Sequence, residues 1–185
     1  DVHMTRDADR FLPLSERVRM GRAVKADIFI SLHADSLTQR DVRGATIYTL
    51  SKRATDEVSE ALAENENRAD LVAGLDIAPD DGGVADILID LARMETKGFS
   101  RQFSKTLLEK MRGKIRLIKN PARGAGFRVL KAPDVTSVLI ELGYLSNDQD
   151  AELLSQPKWQ TKMASVLVDA IEAFRQDKLG AIVKN

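Results

Sequence analysis

The chain has 185 residues, 43% of them hydrophobic and 30% charged, a size that suits one compact domain with one sizeable insertion. Lys+Arg and Asp+Glu balance at 28 each and cysteine is absent, which excludes a disulfide framework, a thiolate zinc site, a cysteine nucleophile and any global charge favouring nucleic acid. No stretch approaches the roughly 20 apolar residues of a membrane span, and no charged-then-apolar signal segment opens the chain.

The opening "DVHMTRD" reads as the tail of a strand, so the chain is expected to start inside a domain. "LPLSERVRMGRAVKAD", residues 12 to 27, sets Leu14, Val18, Gly21 and Val24 at helical spacing and feeds the apolar run Ile28 to Leu32, a buried strand that ends on His33. "GATIYTL" is β-branched and aromatic and predicts another strand. From Thr55 to about Leu71 the pattern turns helical and acidic, and "GLDIAPDDGG" breaks it. A long helix is expected from about Val84 to Arg112, with Phe99, Phe103, Leu107 and Met111 as an i, i+4 stripe that reads as ordinary core. Ile87, Leu88, Ile89 and Leu91 are dense enough for a partner-docking surface, though a helix packed within the domain explains them equally well.

Further on, Phe127 to Leu130 reads as a short strand, Ala-Pro-Asp as a turn, and Thr136 to Leu142 as a strand buried on both faces. Glu141 interrupts that apolar run. A carboxylate there costs several kcal/mol if unpaired, so it must meet a cation, a metal or water. From Pro157, the residues Trp159, Met163, Val166, Leu167, Ala170, Ile171 and Phe174 form a broad apolar helix face. Strands alternating with helices predict an α/β fold, a three-layer sandwich whose largely parallel, twisted sheet is flanked by helices.

Charge is unevenly placed along the chain. Asp56 to Asp70 holds six acidic residues against one basic, whereas Arg93 to Lys131 holds twelve basic against two acidic. That contrast implies either docking of the two segments on each other or a surface for an anionic partner. Thin aromatic interleaving argues against nucleic acid.

Two buried strands thus end in His33 and Glu141. In open α/β sheets functional groups gather at the carboxyl ends of strands, so the two are expected to share a crevice. Imidazole is a common zinc ligand, and a nearby carboxylate is what metal-assisted hydrolysis needs to move a proton from water to a leaving group.

"MTRDADRFLPLSERV…AVKADIFISLHADS" together with "GFRVLKAPDVTSVLIELGYLSNDQDAELL" resembles the zinc-dependent N-acetylmuramoyl-L-alanine amidases, over nearly the whole chain. Thr5-Arg6, Arg17, Ala26-Asp27, Ser31 to Ala34, Gly44 and Glu141 to Asn147 carry the likeness. Arg22 and Asp35 stand where members usually carry asparagine, departures not expected to touch the chemistry. The resemblance implies Zn²⁺, with His33 as a ligand and Glu141 as the catalytic carboxylate. It implies a periplasmic, exported enzyme that cuts peptidoglycan between the muramic acid lactyl group and L-alanine. The family's other ligands, a histidine and a glutamate, are expected upstream of residue 1, and His3 is a poor substitute. Residues 1–185 would then be an amidase catalytic domain lacking its N-terminal part, inactive by itself. The alternative is a non-catalytic peptidoglycan-binding or regulatory domain with an amidase fold.

Residues of about 51–120 exceed a minimal core and resemble the regulatory insertion of Gram-negative cell-division amidases. There a helix covers the zinc until a LytM-domain activator at the septum draws it away. Glu57, Glu60 and Glu64 share one helix face, and one of them, Glu60 foremost, is the expected plug. A solvated acidic face is the other reading of the same pattern.

Overall fold

A computed structural model describes residues 1–72 and 87–182, except the side chains of 72, 87–92 and 180–182. The expected break at 74–83 and the apolar cluster Ile87, Leu88, Ile89 and Leu91 lie outside what is described, apart from the helical backbone of the latter.

In chain order the elements are α1 (Leu14–Ala23), β1 (Ile28–His33), β2 (Ala45–Leu50), α2 (Glu57–Asn67), α3 (Ala69–Val72), α4 (Ile87–Met111), β3 (Leu117–Ala125), a 3₁₀ turn (Arg128–Leu130), β4 (Thr136–Glu141), α5 (Asp148–Leu154) and α6 (Pro157–Ile182). The strands form one sheet in the order β1-β4-β2-β3. β1 runs parallel to β4 and β2 parallel to β3, whereas β4 meets β2 antiparallel.

The pleat sorts side chains into two cores. Val138 and Ile140 of β4 and Ile47 of β2 face Phe103, Leu107 and Met111 of α4 and Met163, Val166, Ala170 and Phe174 of α6. On the other face Leu139 and Tyr48 meet Leu14 of α1 and Leu62 and Ala63 of α2. Helices therefore cover both faces, the three-layer arrangement that the alternation of elements predicts. The aromatic stripe of α4 is core, with Phe103 edge-on to Phe174 at 5.3 Å between ring centroids.

Two expectations need correction. Phe127 to Leu130 is no strand: it closes a 3₁₀ turn that packs Val129 and Leu130 on α1. The strand lies earlier, at Leu117–Ala125, although Pro121 and Gly124 within it look like loop residues. Pro121 is tolerated because β3 is an edge strand whose pairing with β2 shifts register between Ala45 and Ile47. Likewise, the acidic helix is broken at Arg68 into α2 and the short α3.

The acidic and basic segments do dock on each other. Asp56 caps α2 by accepting from the Ser59 N–H at 2.8 Å, and its other oxygen lies 3.1 Å from Arg123 Nη1 on β3. Asn67, closing α2, donates to the Gly126 carbonyl and accepts from the Arg128 N–H. Asp70 in α3, buried, accepts the Leu14 N–H at 3.0 Å and so caps α1.

Candidate metal and catalytic site

β1 and β4 are in register, so His33 stands beside Glu141 at their carboxyl ends. Both lie on the α1/α2 side of the sheet, with Ser31 and Leu139 two residues back on the same faces. Glu141 is fully buried. Its Oε2 accepts the Asp35 N–H at 3.1 Å, while Oε1 has no partner among the described residues. Burial, reinforced by the charge of Asp35, pushes the Glu141 carboxyl up to about 8, against the opposing pull of His33.

His33 is held at both ring nitrogens. Ser31 Oγ lies 2.8 Å from Nε2, and Glu66 Oε2 lies 3.0 Å from Nδ1. Burial alone would lower the imidazole's pKa, but the bond to Glu66 and the charges of Glu66, Glu141 and Asp35 outweigh it and raise it. Burial likewise acts to raise Glu66, and the bond to His33 wins there too, holding that carboxylate below its usual range. Asp35, buried beside the Glu66 charge, is pushed up to about 6.

His33, Asp35 and Glu66 each offer one ligand atom, and these atoms lie within 4.8 Å of one another. With the orphaned Oε1 of Glu141 and an orphaned Oδ2 on Asp35 beside them, the donor set suits a divalent cation. The chain thus supplies more than the single histidine and single carboxylate that its motifs display. Asp35, where asparagine was the expected residue, belongs to the cluster itself.

The carboxylate that the acidic helix carries to His33 is Glu66, and sequence reasoning had not singled it out. Glu57, Glu60 and Glu64 are exposed on α2, and Glu64 sits 3.9 Å from Arg68 of its own face. Ser59, Leu62 and Ala63 are the buried positions of α2, and Glu66 follows them at i, i+3, i+4 and i+7. A lone glutamate on the apolar face was the signal available in the sequence.

The loop leaving β4 is fixed by Asp150, buried at the start of α5. One of its oxygens accepts the Gly44 N–H at 2.7 Å and the Tyr144 N–H at 3.2 Å, and the other lies 3.3 Å from Arg43 Nε. Thr46 on β2, the register partner of Glu141, shares a hydrogen bond of 3.0 Å with the Tyr144 hydroxyl. Arg17, half-buried on α1, donates Nε to the Leu12 carbonyl, and His3 is exposed.

An α/β sandwich with a histidine and a buried glutamate at adjacent strand ends offers the residue types that metal-assisted hydrolysis uses. The N-acetylmuramoyl-L-alanine amidase family matches residues 1–173, and the chain belongs to that family. It is 37% identical over 178 residues to the N-acetylmuramoyl-L-alanine amidase AmiC of Escherichia coli O6:H1, covering 95% of this chain and 42% of that protein. To AmiA of Escherichia coli K12 it is 33% identical over 175 residues, 94% of this chain and 61% of AmiA. The chain therefore spans less than two thirds of the length of either relative. In fold it resembles the N-acetylmuramoyl-L-alanine amidase from Clostridium difficile 630, with a TM-score of 0.64 at 16% identity over 94% of this chain and 71% of that one. No helix among the described residues is long and apolar enough to cross a membrane.

Proposed function

We propose that the chain forms most of the catalytic domain of a periplasmic peptidoglycan hydrolase that cleaves the amide between the muramic acid lactyl group and L-alanine, for septal wall splitting. The observation that carries this reading is the in-register pair of His33 and a fully buried Glu141 whose Oε1 has no protein partner. Membership of the amidase family supports it.

On this reading His33 is a zinc ligand, joined by a histidine and a glutamate of the family pattern on chain preceding Asp1. Zinc, when bound, polarises the scissile carbonyl and makes water a nucleophile near neutral pH. Glu141 then takes a proton from the attacking water as the C–O bond forms. It returns that proton to the alanine nitrogen as the C–N bond breaks, leaving a lactyl carboxylate and a free amine. In the metal-free chain burial holds the Glu141 carboxyl up at about 8, and a cation bound beside it would draw it back toward the ionised form that a general base needs. The Asp35 N–H fixes Oε2, which leaves Oε1 to face the substrate.

Helix α2 supports an autoinhibited state on the same reading. Glu66 occupies Nδ1 of His33, a nitrogen that could otherwise ligate the metal, and a LytM-domain activator would release it by drawing α2 aside. The test is zinc-dependent release of stem peptides from purified sacculi by the full-length protein. Glu141→Gln is expected to lose about 10²–10⁴-fold in rate, and Glu66→Ala to release peptides without activator. Undiminished release by Glu141→Gln would sink the catalytic assignment, and sacculus binding with no release by the wild type would favour a non-catalytic module.

A further inference from the structure

Among the described residues, the His33 ring has a polar contact with Ser31 besides the one with Glu66. The two residues sit two apart on β1, so both side chains leave the same face of the strand, and Ser31 is only 6% exposed. Its Oγ lies 2.8 Å from Nε2, while Nδ1 is turned to Glu66 and the cluster with Asp35. We propose that Ser31 is the positioning residue for His33, its buried hydroxyl accepting the Nε2–H and so fixing the tautomer that offers the Nδ1 lone pair to a metal. The inference rests on the reading of His33 as a metal ligand and adds which nitrogen binds and what holds it.

The argument is one of proton placement. A neutral imidazole carries a single N–H, and the nitrogen without it is the ligand. If Nδ1 bore the hydrogen, it would be spent on Glu66 and the face turned to the cluster could not bind. With the hydrogen on Nε2, Ser31 Oγ stands at hydrogen-bond distance to accept it. Ligating histidines routinely give their second N–H to such a partner, and its loss costs about 10–100-fold in metal affinity.

Zn²⁺ titration of the full-length protein, read by competition with a chromophoric chelator, tests this. Ser31→Ala is expected to weaken Zn²⁺ about 10–100-fold, and Ser31→Thr, which keeps the hydroxyl and suits a strand, to hold wild-type affinity. Long-range ¹H–¹⁵N spectra of the zinc-loaded wild-type imidazole should show hydrogen on Nε2, a signature that a merely structural serine would not set. Zinc on Nε2 with hydrogen on Nδ1, or Ser31→Ala binding as tightly as wild type while His33→Ala loses the metal, overturns the role of Ser31 and leaves His33 as ligand. Unchanged binding by His33→Ala would instead overturn the metal reading and this inference with it.

Discussion

Asp70 caps a helix to which it does not belong: its Oδ1 accepts the N–H of Leu14 at 3.0 Å across 56 residues of sequence. Pro13 before α1 has no side chain able to do this, so the acidic segment supplies the cap. Asp70→Ala is expected to cost about 1–2 kcal/mol in urea unfolding and to speed amide exchange at the first turn of α1. Unchanged exchange there would show that the bond contributes nothing to α1.

Glu66 and Glu60 are expected to part company in the same helix. Glu66→Ala removes the polar bond that ties α2 to the strand end, so amide exchange across Glu57–Asn67 should rise severalfold. Glu60→Ala, at an exposed position, should leave it unaltered. Equal responses from the two variants would place the tether elsewhere.

The metal-free chain should be least stable at alkaline pH. Glu141 keeps its proton to about 8 and Asp35 to about 6 when folded, against 4.5 and 3.8 ordinarily, so across those windows the folded chain holds more protons than the unfolded one. Stability then falls as pH rises. His33, raised by Glu66, adds stability below 6.5 that is lost as pH rises through its folded value, whereas Glu66, lowered, loses its contribution as pH falls below 4.5. Chelator-treated protein should therefore show its highest Tm near pH 5 and a decline toward pH 8, flattened in Glu141→Gln. A Tm that climbs over that range contradicts the assignment.

Gly44, just before β2, has φ +104°, and a Cβ there would come within 3.0 Å of the Leu117 carbonyl carbon and 3.1 Å of the Arg116 oxygen. Both are backbone atoms, at and just before the start of β3, and cannot step aside cheaply. Gly44→Ala should cost on the order of 1–3 kcal/mol in chemical unfolding. A loss below a few tenths would mean that the strand entry relaxes.

His33 and Glu141 were legible because each is polar at the end of an apolar run, and burial leaves such a residue few roles. β3 was not, since an edge strand can carry Lys119, Pro121 and Arg123 and looks like a loop when read alone. Glu66 was missed for a subtler reason. A face of three carboxylates draws attention, yet shared charge keeps Glu57, Glu60 and Glu64 in water, and the acid that docks is the one riding with Leu62 and Ala63. Asp35 was visible as a departure from asparagine, but its place beside Glu66 depends on the fold alone.

The in-register pairing of β4 with both neighbours also limits how these strands can change length. Glu141 faces His33 on one side and Thr46 on the other, and the two sides of β4 alternate residue by residue. A single inserted or deleted residue within β4 would turn the carboxylate into the oily layer of Phe103 and Phe174 and bring a leucine or isoleucine to the histidine. Helices and loops can lengthen freely, but the parity of β1 against β4 decides whether Glu141 and His33 meet at all.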